Sequence, residues 1–149
     1  MMKLFRGDFE LNTIYEIDIG ELASRGIRYA LCDLDNTLAD YDTPLPTESV
    51  KNWISSMNDA GIQVAIISNN ERERVEKFCE KLDIPYFWKS GKPKKRAVYN
   101  ALDKLGGSLS ETVLIGDKRT TDIICAKNTG ILSIKVKSIK PRNILWKKK

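Results

Sequence analysis

The sequence predicts a doubly wound α/β fold: a five-stranded parallel sheet with helices on both faces. Three observations lead there. Apolar runs of five or six residues alternate with segments of helical spacing along most of the chain. One run, 62–67 (IQVAII), is almost continuously apolar, as a strand buried on both faces should be. The length of 149 residues, with 42% hydrophobic and 30% charged residues, suits one globular domain with its own core.

Taken in order, residues 1–27 read as an N-terminal extension with one helix near 18–25. Residues 28–33 (RYALCD) form the first strand. Pro44 and Pro46 mark a loop, and Thr47 caps the helix that follows. In that helix Val50, Trp53, Ile54 and Met57 share one face, at i, i+3, i+4 and i+7. Gly61 stops it, and 62–67 is the second strand. A helix over about 71–82, opened by Asn70 and Glu71, repeats the spacing with Val75, Phe78, Cys79 and Leu82. Residues 84–88 (IPYFW) make a short third strand. A helix over about 94–105 buries Ala97, Val98, Ala101, Leu102 and Leu105 before Gly106 and Gly107 break the pattern. Residues 112–116 (TVLIG) are the fourth strand, about 121–129 a helix ended by Gly130, and 131–136 (ILSIKV) the fifth strand. The order βαβαβαβαβ requires crossovers and hence a parallel sheet. With no repeat, low-complexity tract or linker, residues 1–149 read as a single domain, ending in a basic tail at 137–149.

Composition narrows the chemistry. Histidine is absent. That excludes a Ser-His-Asp triad, a Cys-His pair, a phosphohistidine and any His-ligated zinc site. A Cys nucleophile followed six residues on by Arg is also excluded, because Leu38, Pro85 and Ile131 stand there. Cys32, Cys79 and Cys125 are odd in number and lie in apolar segments, so they read as reduced core residues of an intracellular protein. No apolar run is long enough to span a membrane, and the N-terminus lacks the apolar core of a signal peptide; the expected location is cytoplasmic. Residues 135–149 hold seven of the 25 Lys/Arg and none of the 20 Asp/Glu, so the rest of the chain is net −2. Such a tail is either a solvated end or a contact for an anionic membrane, with Ile144, Leu145 and Trp146 at the interface and lysines on phosphates. Nothing in it resembles a nucleic-acid motif.

In a doubly wound sheet, ligands bind beyond the carboxyl ends of the strands. Asp33, Leu34, Asp35, Asn36 and Thr37 follow the first strand; Ser68, Asn69 and Asn70 the second; Gly91, Lys92 and Pro93 the third; Gly116, Asp117 and then Asp122 the fourth. Clustered carboxylates repel and call for a cation, and hard oxygen donors suit Mg²⁺. A metal there would offset phosphate charge. One aspartate would attack phosphorus and the other would move the proton, since side chains at i and i+2 of extended chain point the same way. Ser68, the N–H groups of 34–37 and Lys92 would hold the phosphoryl oxygens. Each residue alone has a plainer role. Ser68 and Asn69 can form a turn, Lys-Pro marks extended chain, Asp117 can cap a helix and Asp122 can sit in its first turn. Only the set points to catalysis.

The set "Asp33-Leu34-Asp35-Asn36-Thr37", "Ser68-Asn69-Asn70", "Lys92-Pro93" and "Gly116-Asp117-x4-Asp122" resembles the four motifs of haloacid dehalogenase (HAD) superfamily phosphatases, in the right order. The stretches RGIRYALCDLDNTL, IISNNERERVEKF and IGDKRTTDI resemble the YqeG-like group of its subfamily IIIA, and the likeness covers about 25–135. It implies a Rossmann-like, HAD-like fold with Asp33 as nucleophile and Asp35 as general acid and base. It further implies Mg²⁺ held by Asp33, the Asp35 main-chain carbonyl and Asp117, with Ser68, Asn69 and Lys92 on the phosphate and Asp122 behind them. About 30 residues separate the first two motifs and about 20 the next two, too few for a cap domain. An open site favours a large or surface-held substrate, or a second copy of the chain covering it. Phosphatidylglycerophosphate is the specific substrate the resemblance implies. The alternatives are another small-molecule or protein phosphate, or a binding or assembly role on the same scaffold. A receiver domain is disfavoured because Trp88-Lys89-Ser90 follows the third strand without an Asp, and a Walker loop because Tyr86 replaces its first glycine.

Overall fold

The computed structural model describes residues 8–140. Its sheet is fully parallel and six-stranded, in the order β1-β6-β5-β2-β3-β4. The strands are β1 (Phe9–Leu11), β2 (Tyr29–Cys32), β3 (Gln63–Ile67), β4 (Tyr86–Phe87), β5 (Thr112–Gly116) and β6 (Leu132–Val136). The helices are α1 (Ile19–Ser24), α2 (Glu48–Asp59), α3 (Arg72–Cys79), α4 (Arg96–Leu105) and α5 (Ile124–Thr129).

Successive strand residues alternate between two cores, which is how a sheet covered on both faces uses its period of two. Ala30, Cys32, Val64, Ile66, Val113 and Ile115 pack with Leu22 of α1, Met57 of α2 and Phe78 of α3. Leu31, Ala65, Ile67 and Leu114 pack with Val98 and Ala101 of α4 and Cys125 and Ala126 of α5. Both faces are thus sealed, and α2 buries the stripe the spacing predicts: Val50, Trp53, Ile54 and Met57. Thr47 Oγ1 accepts from the Val50 N–H at 3.2 Å and caps that helix.

The five-strand expectation needs one correction. Residues 9–11 lie in the segment read as an extension, yet they form β1, paired in parallel with β6. Asp8 anchors the pairing: its N–H donates to Ser133 Oγ (3.0 Å), and its Oδ2 accepts from the Ser133 N–H (2.9 Å). The expected helix of the same segment is α1, capped by Asp18. The chain enters α5 through a π-helical turn, Arg119–Ile123. Of the basic tail, residues 141–149 lie outside the described residues, including Ile144, Leu145 and Trp146. Among the described residues no helix is long and apolar enough to cross a membrane.

From β2 the chain winds outward through β3 to β4, then returns to β5 on the other side of β2. The switch point of the sheet therefore lies between β2 and β5. No cap stands over it: the chain from β2 to β3 forms only a loop and α2, and that from β3 to β4 only α3.

Candidate active site

The predicted site residues gather at that switch point. Asp33 follows β2, and its N–H still donates to the Ile115 carbonyl (2.9 Å), so the ladder fixes its direction. Asp117 follows β5. Thr37 Oγ1 lies between them, 3.2 Å from Asp33 Oδ2 and 3.3 Å from Asp117 Oδ1. A hydroxyl carries one proton, so it serves one carboxylate at a time. Asp33, Asp117 and Asp122 bring carboxylate oxygens within 4.8 Å of one another. An all-oxygen, anionic donor set of this kind fits a hard divalent cation such as Mg²⁺.

Lys92 enters from the loop after β4. Its Nζ donates to Asp33 Oδ1 (3.0 Å) and to Asp122 Oδ1 (2.6 Å), with only 2% of the side chain exposed. Burial pulls its pKa down, but the charges of Asp33 and Asp122 more than reverse this, and the pKa is raised. Asp122 has both oxygens engaged, since Oδ2 accepts from the Lys118 N–H (3.1 Å). Burial, then the Asp33 charge, pushes Asp122 up to about 6 against the pull of Lys92. The π-helical turn brings Asp122 back over the end of β5, and a Cβ on Gly116 would lie 2.2 Å from the Asp122 carboxyl carbon. Glycine is the residue that leaves room for this approach.

Asn69 lies at the cavity, but its amide also ties down the Lys92 loop. Its Oδ1 accepts from the N–H groups of Gly91 (3.1 Å) and Lys92 (2.9 Å), and its Nδ2 donates to the Lys92 carbonyl (2.8 Å). Ser68 is buried, and its Oγ accepts from the Asn70 N–H at 3.0 Å. Asp35 is gripped from α3 and the turn before it: Oδ2 accepts from Asn70 Nδ2 (2.8 Å) and Oδ1 from Arg74 Nε (3.0 Å). Arg74 also donates to the carbonyls of Asp40 and Thr43, which fastens α3 to the loop after Asp35. Together Asp33, Asp35, Ser68, Asn69, Asn70 and Lys92, with Lys118 and Thr121, line an open cavity of about 230 Å³. Asp117 and Asp122 are buried and do not line it.

Asn70, read from the sequence only as a helix start, thus also touches Asp35. Arg74 was not singled out: it lies in α3 while Asn70 precedes that helix, and no helical spacing ties Arg74 to Asp35, 39 positions away. Ser138, which donates to Asp117 Oδ2 at 2.6 Å, had no signal either, because nothing local ties it to a residue 21 positions away. The cysteines are all buried and free. Burial pushes the Cys79 and Cys125 thiols up to about 12 and about 11, and raises Cys32 as well, so none offers a thiolate at neutral pH.

A carboxylate–lysine cluster at the switch point of a capless sheet defines the class: a doubly wound α/β enzyme core equipped for acid–base and metal-assisted chemistry. Comparison with known proteins narrows it. The haloacid dehalogenase-like hydrolase family matches residues 2–130. The chain is 34% identical over 136 residues to the probable phosphatase YqeG of Bacillus subtilis (strain 168), a match covering 91% of this chain and 79% of that protein. An uncharacterized protein from Listeria monocytogenes serotype 4b has a similar structure, with a TM-score of 0.61 at 20% identity over 78% of this chain and 84% of that one. So does a 3-deoxy-D-manno-octulosonate 8-phosphate phosphatase from Moraxella catarrhalis, solved with magnesium, phosphate and KDO. Its TM-score is 0.54 at 24% identity, over 67% of this chain and 62% of that one. The two structural likenesses bear on the fold. The chain belongs to the haloacid dehalogenase-like hydrolase family.

Proposed function

We propose that this hydrolase is a Mg²⁺-dependent phosphatase that cleaves a phosphate monoester through an aspartyl-phosphate on Asp33, the 149 residues acting as one catalytic domain. The observation that carries the reading is the placement of Asp33. It faces the cavity, within 3.0 Å of a buried ammonium and beside two further carboxylates. The name of the Bacillus relative supports it.

In this mechanism an Asp33 oxygen attacks phosphorus, and the bond from phosphorus to the ester oxygen breaks. Asp35 gives its proton to the departing oxygen, then takes one from the water that hydrolyses the acyl phosphate, releasing phosphate and restoring Asp33. Lys92 offsets charge on the phosphoryl group, and the Ser68 hydroxyl donates to one of its oxygens. Asn69 positions Lys92 as well as bordering the phosphate. Asp33, Asp117 and the Asp35 main-chain carbonyl would hold Mg²⁺, whose charge when bound offsets that of the phosphate. Asp122, with both oxygens engaged, orients Lys92.

The direct test is phosphate release from p-nitrophenyl phosphate. Asp33→Asn is expected to lower the rate by about a thousandfold or more, and excess EDTA to abolish it. Full activity in either case would refute the site.

A lipid phosphate, with phosphatidylglycerophosphate as the specific candidate, is the substrate reading that the uncapped cavity and the basic tail support. The protein would then work in the cytoplasm, peripheral to an anionic membrane. A phosphate-release panel of lipid, sugar, nucleotide and protein phosphates tests the substrate. Co-sedimentation with anionic and neutral vesicles, with and without residues 141–149, tests the tail; equal binding to both vesicles would exclude an electrostatic contact.

A further inference from the structure

Residues 137–140 leave β6 and run beside Asp117 and the loop after β2, outside the cavity lined by Asp33 and Asp35. The register Gly116↔Lys135 brings the chain after β6 alongside Asp117, the residue after β5. There Ser138 Oγ donates to Asp117 Oδ2 at 2.6 Å, a short, charge-assisted bond. The next two N–H groups go to the loop that carries Asp33 and Asp35. Ile139 donates to the Asn36 carbonyl (3.1 Å), and Lys140 donates to Asn36 Oδ1 (3.2 Å). Lys140 Nζ then pairs with Asp42 at 2.8 Å. Three successive positions thus hold the first loop and Asp117 together through four bonds.

We propose that Ser138 is a positioning residue for the cation: it fixes the Asp117 carboxylate so that Oδ1 stays beside Thr37, whose hydroxyl also reaches Asp33. The inference rests on the metal-site reading above. Asp33 and Asp122 share the Lys92 ammonium, but three carboxylates within 4.8 Å of one another outweigh its single charge, and an untethered Asp117 would relieve the remaining repulsion by rotating away. The Ser138 bond on Oδ2 opposes that rotation and leaves Oδ1, beside Thr37, for the ion. Partners that hold a ligand in this way typically contribute about 10–100-fold in metal affinity. Ser138 touches no reacting atom, so its effect belongs in affinity for the ion, not in the chemical step.

The test is calorimetric titration of Mg²⁺ into the EDTA-stripped full chain, without substrate, for wild type, Ser138→Ala, Ser138→Thr and Ser138→Val. Thr and Val are alike in shape and differ in the hydroxyl. Ser138→Ala and Ser138→Val are expected to raise the Mg²⁺ Kd by about 10–100-fold, with Ser138→Thr near wild type. At saturating Mg²⁺, kcat should recover in all variants. Equal Mg²⁺ affinity in the Thr and Val variants, or an unchanged Kd in Ser138→Ala, overturns the role of Ser138 while leaving the metal site standing. A wild type that binds no Mg²⁺ overturns both.

Discussion

Lys92 and Asp122 owe their position to a residue with no side chain. The ammonium is shared by Asp33 and Asp122, and Asp122 reaches it only because Gly116 lets a carboxyl group lie against the backbone. A buried ion pair is weak evidence for stability, because desolvation offsets most of the attraction. Its arrangement here is better explained by what it holds ready. Gly116→Ala is expected to force Asp122 aside and to destabilise the fold by about 1–3 kcal/mol by overpacking, measurable by urea denaturation. It should also leave Lys92 without one of its two partners and so lower kcat. At this scale much was legible. Asp33, Asp35, Ser68, Lys92, Asp117 and Asp122 each follow a strand that the apolar pattern predicts, and the structure brings them together. Thr37 and Arg74 escaped notice as Asp33 and Asp35 partners because their roles depend on where a loop folds back, which no periodicity encodes.

Elements were legible in proportion to their length and amphipathicity. The four apolar positions of α2 share one face and are all buried. β1 was not legible: three residues, Phe-Glu-Leu, are too few to show an alternation, and their partner strand lies about 125 residues away in sequence. Its contribution is nonetheless to the core, since Phe9 is wholly buried. Phe9→Ala is expected to destabilise the protein by about 3–5 kcal/mol, as read from the shift of the denaturation midpoint, without altering KM. A change below about 1 kcal/mol would mean that β1 adds little to the fold. The π-helical turn before α5 was also hidden, because a widened turn keeps the same residue types as the helix it opens. Such turns recur at functional sites, and this one carries Asp122.

The whole molecule holds three carboxylates around one ammonium at the carboxyl ends of β2 and β5, a net negative cluster, so its stability should respond to the cation that cluster favours. At a free Mg²⁺ concentration of about 100 times Kd, linkage adds about 2.7 kcal/mol. For a chain of this size the melting temperature should rise by about 5–10 °C over an EDTA-treated sample. Calcium-free melts recorded with and without Mg²⁺ check this, and coincident curves would contradict it. The uncapped architecture was readable from the motif spacing alone, because about 30 and about 20 residues leave no room for an inserted domain. The sixth strand was not, and it moves one edge of the sheet. Among the described residues, the outermost strands are β1 and β4, three and two residues long. Long unpaired strand edges are where sheets recruit foreign chains and grow into aggregates. Here the strongly apolar strands β2, β3 and β5 are interior, and among the described residues each margin exposes only a stub of unpaired backbone. A chain so rich in β-forming runs is thereby protected from polymerising through its own sheet.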